Sequence, residues 1–146
     1  MKTRILFLIG IVFLRGCVPC PAGEGDKWRV TGDTARFAAL SQVESGDNDF
    51  AVGGAGEISR FQIKRQNWLG GNPHDAAIAL ENAKAIMTVR CAQFEKAAKR
   101  PATDAEFYAL WNAPSIALAG RPLPKVIAQR AERFANLAAK IEKGIQ

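Results

Sequence analysis

Apolar residues are distributed along the chain in three regimes. From Ile5 to Leu14 they run almost continuously, with Gly10 as the only small member. From residue 33 onward they mostly recur at helical spacing, but between 46 and 57 they thin out among glycines and acids. The continuous run follows Lys2 and Arg4, and a positive start ahead of a short apolar core is the pattern of an export signal. It is too short for a mature membrane span, which needs about 20 residues. A soluble helix would show polar positions every three or four residues, and this run shows none.

The periodic part predicts helices. Phe37, Leu40 and Val43 share a face, giving a first helix over 34–45 with Asp33 as N-cap and Gly46 as stop. Ile78, Asn82, Ala85, Ile86, Val89 and Ala92 predict a second helix over 76–99, capped by Asp75 and closed before Pro101. Thr103 and Glu106 form a capping box that opens a third helix over 104–112, which Pro114 closes. Residues 115–119 add a turn, and the segment Gly120 to Pro124 breaks the chain again. Pro124 suits the first position of a last helix. Its core stripe is Ile127, Ala131, Phe134, Ala138 and Ile141, with Lys140, Lys143 and Gly144 near the end. The organisation expected is a signal over 1–16, a Pro- and Gly-rich arm over 17–32, and one mainly-α domain over 33–146.

Composition agrees with one globular domain: 146 residues, 48% hydrophobic and 23% charged. The formal charge of +6 includes Lys2, Arg4 and Arg15, so the chain from Cys17 carries only +3. A mild positive excess suits an anionic polymer. No basic run with interleaved aromatics is present, so nucleic acid is not an expected partner. One histidine and three cysteines do not make a metal-site pattern, and no metal or cofactor is expected. His74 reads as a loop residue.

Leu14-Arg15-Gly16-Cys17 resembles a bacterial lipobox, which makes Cys17 a candidate for acylation and membrane anchoring. Cleavage after Ala22 with simple secretion is the alternative. Either way the expected location is the periplasm, the cell envelope or the medium, where disulfides persist. With Cys17 lipidated, Cys20 and Cys91 remain as a pair that can bridge. A free Cys20 beside an apolar, buried Cys91 stands as the other reading.

The chemistry centres on Glu44. It follows Leu40 by four residues and Phe37 by seven, so it shares the apolar face of the first helix. A carboxylate turned toward a core must be paired or protonated, and low polarity raises its pKa. A carboxyl still protonated near neutral pH is what glycosidic cleavage requires, because the leaving oxygen must receive a proton. After Glu44-Ser45-Gly46 come Asp49-Phe50-Ala51-Val52 and Gly56-Glu57-Ile58-Ser59-Arg60-Phe61-Gln62-Ile63. This pattern resembles the lysozyme-like lytic transglycosylase family, within the soluble lytic transglycosylase and goose-type lysozyme superfamily. There a Glu-Ser pair ends a helix, and a Gly-rich loop closes on a Gln-Ile eighteen residues later, as Gln62 does here. Farther on, Tyr108-Ala109-Leu110-Trp111-Asn112-Ala113-Pro114 resembles the family's Ala-x-Tyr-Asn-Ala-Gly box, with Trp111 in place of Tyr and Pro114 in place of Gly. In the first box Glu57 replaces a small residue, Ser59 a glycine and Arg60 a leucine. The likeness covers about residues 34–120.

The resemblance implies a lysozyme-like helical fold with an irregular Gly-rich lobe after the catalytic helix. It implies a substrate, peptidoglycan glycan strands, and a catalytic acid, Glu44. Ser45, Gln62, Tyr108, Trp111 and Asn112 are its substrate-binding candidates. Tyr108, one turn before Trp111, can supply the hydroxyl that the family takes from its Tyr. Glu57 is the best candidate for a second carboxylate, with pairing to Arg60 as its structural alternative. A serine nucleophile at Ser45 has no Gly-x-Ser-x-Gly setting to support it.

Overall fold

A computed structural model describes residues 32–144, and the expected signal over 1–16, the arm, Cys17 and Cys20 lie outside this range. The fold is mainly helical: α1 Gly32–Ser45, β1 Glu57–Ile58, β2 Ile63–Lys64, α2 Ala76–Ala98, α3 Asp104–Asn112, α4 Pro114–Leu118 and α5 Lys125–Glu142. A short 3-10 turn, Arg65–Asn67, follows β2.

The short helix α3 is the centre of the molecule. Phe107, Tyr108, Ala109, Leu110 and Trp111 are all buried, so the helix is apolar nearly all round and needs cover on every side. The helix α5 packs against both α1 and α3. Phe107 stacks on Phe134 of α5 at 5.9 Å and meets Phe37 of α1 edge-on at 5.6 Å, while Tyr108 tilts against Phe134 at 5.4 Å. Such aromatic pairs add about 0.5–1.5 kcal/mol each beyond the area they bury. Arg36 ties α1 to the start of α3 by donating to Asp104 Oδ1 at 2.7 Å and to the Ala102 carbonyl at 3.1 Å. Its guanidinium also lies over the Phe107 ring.

Helix ends follow the local chemistry. Asp75 accepts from the Ala77 and Ile78 amides and caps α2. Thr103 and Glu106 make the reciprocal capping box of α3. Asp33, expected as the cap of α1, lies inside its first turn, because the helix begins at Gly32. Pro124 is the N-cap of α5 rather than its first residue, and α4 runs from Pro114 to Leu118 instead of 115–119.

The buried face of α2 is rotated from the expected one. Ala79, Ala83, Met87 and Phe94 point inward, while Ala85, Val89 and Ala92 face solvent. Asn82 is buried because its side chain accepts from the Leu69 amide at 2.7 Å and donates to the Gly70 and Ile78 carbonyls. This polar clamp fixes the loop over 68–71 and turns the helix so that the stripe beginning at Ala79 meets the core.

The glycine-rich segment after α1 is ordered as a small β lobe. The strands β1 and β2 pair antiparallel with Glu57 opposite Lys64 and Ile58 opposite Ile63, and Val52 adds an isolated bridge to Ile58. Ile58 and Ile63 are buried and Phe61 packs edge-on against Phe37, which seats the lobe on the core. Ser59 and Gln62 adopt left-handed φ values of 69° and 52° at the two ends of the hairpin loop. Ser59 is fully buried in that conformation.

Candidate functional site

The helix α1 delivers Glu44 to its last turn, with the core residues Leu40 and Phe37 one and two turns back on the same face. Gly46 then takes a left-handed φ of 65° and redirects the chain into the β lobe. Glu44 is therefore half-buried at the junction between lobe and helices, on the wall of an open cleft of about 450 Å³. Glu57 and Gln62 from the lobe and Trp111 and Asn112 from α3 line the same cleft.

Two polar groups meet the Glu44 carboxyl from α3. The Asn112 amide donates to Oε1 at 3.0 Å. The Tyr108 hydroxyl, one turn earlier, is fully buried and makes no aligned hydrogen bond among the described residues, although Glu44 and Arg130 are its polar neighbours. Burial pushes the Glu44 carboxyl above the ordinary carboxylate range, and the Glu57 charge acts in the same direction. Tyr108, Arg130 and Asn112 oppose that shift without cancelling it. Burial also raises the Tyr108 phenol, with the Glu44 charge adding to it, so the hydroxyl stays a neutral donor.

The lobe presents Glu57 and Gln62 over Gly53. A Cβ at Gly53 would overlap Glu57 Oε2 and stand 2.6 Å from Gln62 Oε1, so only glycine leaves room for both. Glu57 Oε2 accepts from the Ala55 amide at 3.0 Å, and Gln62 donates to the Ser59 carbonyl at 3.1 Å. The Arg60 alternative for Glu57 is not what the fold uses. Arg60 instead forms a two-pronged pair with Asp49, Nε to Oδ1 at 2.6 Å and Nη2 to Oδ2 at 2.8 Å. The Asp49 carboxyl is held below its usual range by that contact.

Ser45 braces the lobe rather than lining the cleft. Its hydroxyl donates to the Arg60 carbonyl at 2.8 Å and accepts from the Asn48 amide at 3.1 Å. Trp68 is half-buried against the core and donates to the Gly71 carbonyl at 3.1 Å. His74 stacks on exposed Phe50 and contacts the Asp49 carbonyl at the lobe surface. Cys91 carries a half-buried thiol on α2 with no disulfide partner among the described residues, its candidate partner Cys20 lying outside them, and burial pushes the thiol up to about 11.

Three cleft cations were not singled out by the sequence reading: Lys64, Arg90 and Arg130. Arg90 closes the end of α3 by donating to the Leu110 and Trp111 carbonyls at 2.9 and 2.8 Å, with its guanidinium over the Trp111 ring. No local pattern marks it, because a helix-end contact twenty residues away is a product of packing. Arg130 follows an ordinary exposed position of α5, and only the docking of α5 on α1 and α3 brings it to Glu44.

A second, shallower groove of about 480 Å³ runs between α1 and α5, lined mainly by exposed polar side chains such as Gln42, Gln129 and Asn136. Among the described residues no cluster of histidine, cysteine or acidic groups can hold a metal ion, and no helix is long and apolar enough to cross a membrane. Comparison of the chain with family models, curated proteins and solved structures gave no match.

Proposed function

We propose that the protein is a lysozyme-like lytic transglycosylase that cleaves the β-1,4 bond between N-acetylmuramic acid and N-acetylglucosamine in peptidoglycan. The observation that carries the reading is Glu44: a carboxyl with a burial-raised pKa, gripped by Asn112, on the wall of a cleft able to hold sugar. The exported location inferred from residues 1–16 suits a polymer that lies outside the cytoplasmic membrane.

The Glu44 proton passes to the glycosidic oxygen as the bond from that oxygen to C1 breaks, the electron pair leaving with the oxygen. The N-acetyl carbonyl oxygen of the substrate closes on C1 and spreads the positive charge. The 6-hydroxyl oxygen then attacks C1 and displaces the carbonyl oxygen. Its proton returns to Glu44, and a 1,6-anhydro ring results. Asn112 favours the ionised form of Glu44 by donation, which lowers the energy of the state between the two proton transfers. Trp111 offers a ring for sugar stacking.

Glu57 motivates a hydrolytic second reading. A carboxylate in the same cleft, free of Arg60, can orient a water in place of the 6-hydroxyl, which would make the enzyme a muramidase. Trp111 and Pro114, standing where the family has Tyr and Gly, keep a non-catalytic glycan-binding role as the rival. Digestion of purified peptidoglycan by the wild type and Glu44→Gln separates the three. The enzyme reading expects muropeptide release that falls by at least about a hundredfold in the variant. Anhydro ends in the mass spectrum identify the transglycosylase and reducing ends the muramidase. No release by a wild type that still binds the polymer leaves the binding role.

A further inference from the structure

We propose that Arg90 is a positioning residue of the cleft: it supplies the hydrogen bonds that Pro114 denies to the end of α3, and so holds Asn112 in place against Glu44. For its effect on rate, though not for the contact itself, the inference rests on the reading of Glu44 as the reacting acid.

Pro114 creates the need. In a continuous helix the amide of residue 114 would donate to the Leu110 carbonyl, but proline has no N–H. Proline also disfavours helical backbone at the residue before it, and Ala113 takes φ −137° and ψ 60°. The amide ladder of α3 therefore ends where Ala113 donates to the Ala109 carbonyl at 2.8 Å. Ser115, which would serve the Trp111 carbonyl in a continuous helix, lies beyond the same break. Leu110 and Trp111 are buried, and a buried carbonyl without a donor is costly. Arg90 of α2 answers both: its Nη1 donates to the Leu110 carbonyl at 2.9 Å and to the Trp111 carbonyl at 2.8 Å. Its guanidinium also stands 5.7 Å from the centre of the Trp111 ring, which fixes that ring on the cleft wall.

Asn112 is the next residue and the last of α3. It is exposed, so its place follows from the helix end and not from packing around it. Its amide donates to Glu44 Oε1 at 3.0 Å. The other groups facing the Glu44 carboxyl are Tyr108 of α3, Arg130 of α5 and Glu57 of the β lobe, and Lys64 lies in the same cleft. Tyr108 is fixed one turn deeper in the core, and the others belong to other elements. Asn112 is therefore the partner of Glu44 that the end of α3 controls. Without Arg90 the last turn frays, the amide leaves Glu44, and the ionised form of the acid loses its donor.

The test follows two nuclear magnetic resonance signals of the isotope-labelled protein as pH is raised: the Glu44 carboxyl and the Asn112 side-chain amide. In the wild type the two should move together with one midpoint. Arg90→Met keeps the apolar stem and removes the donors. In it the Glu44 midpoint should shift to higher pH and the Asn112 signal should stop following it. Loss of the Arg90 charge alone would also raise the midpoint, but would leave the Asn112 signal tracking Glu44; that outcome overturns the proposal. Arg90→Gln, too short to reach both carbonyls, carries the same test if Arg90→Met does not fold. On peptidoglycan, Arg90→Met should lower kcat by about tenfold, as Asn112→Ala does, and the double variant should fall within about twofold of Asn112→Ala. Losses that multiply in the double variant overturn the proposal. A wild type that cleaves no peptidoglycan sinks the functional reading alone, and the two signals still decide whether Arg90 holds Asn112 to Glu44.

Discussion

Asn112 reaches across 68 residues of sequence to donate its side-chain amide to Glu44, joining the end of α3 to the end of α1 at 3.0 Å. An N–H donor favours the charged carboxylate, so this contact works against the burial that raises the Glu44 pKa.

Removing that donor has a signed consequence. In Asn112→Ala the ionised form of Glu44 loses support and its pKa rises further. Activity that requires a protonated Glu44 is lost as pH climbs through that pKa, so the alkaline limb of the kcat/KM profile should move to higher pH. The maximum rate should fall by about tenfold for the lost charged hydrogen bond. A pH–rate profile checks both, and a limb displaced to lower pH would show that the amide does not donate to the carboxylate.

Gly53→Ala separates the cleft from the fold. The added Cβ meets the ends of the Glu57 and Gln62 side chains, which can swing aside. Melting should therefore change by less than about 1 kcal/mol. Peptidoglycan cleavage should drop by tenfold or more, since displacement of positioned groups by an ångström costs about a hundredfold in well-fitted sites. A thermal melt and a digestion assay on the same sample read the two effects. Full activity in this variant would remove Glu57 and Gln62 from the site.

The capping box of α3 predicts an acid-sensitive contribution to stability. Glu106 pairs with Arg100 at 2.6 and 2.8 Å and accepts from the Thr103 amide at 2.9 Å. Arg100 is the main reason its carboxyl is held down to about 2. A depressed folded-state pKa gives stability that is complete above the ordinary carboxylate value and fades as pH falls from about 4 toward about 2. Glu106→Gln should cost about 1 kcal/mol at pH 7, in line with other lost helix caps. Urea melts should show that difference shrinking to nothing near pH 2. A gap that persists at pH 2 would assign the effect to packing instead of charge.

The ends of α2 and α3 were legible in the sequence because a cap is a contact between neighbours. Asp75 and the Thr103–Glu106 box sit where they were read. The inward stripe of α5 was legible too, since Ala131, Phe134 and Ala138 repeat at helical spacing on an otherwise polar helix. The α2 stripe was not, because this helix is apolar on several faces and Asn82, a polar residue, decides its rotation through the Leu69 and Gly70 loop. In the same way, Ser45 carried no sign that Arg60 would claim its hydroxyl.

The sequence by itself determined the helical register around Glu44: an acid four and seven residues beyond apolar positions must sit at the margin of whatever core forms. It determined as well that a glycine-rich bend follows that acid. Only the tertiary structure decided which groups surround the carboxyl. Asn112, Tyr108, Glu57 and Arg130 come from three other elements, and their approach depends on how α3, α5 and the β lobe pack, a matter of side-chain shape across long sequence distances that no local spacing encodes.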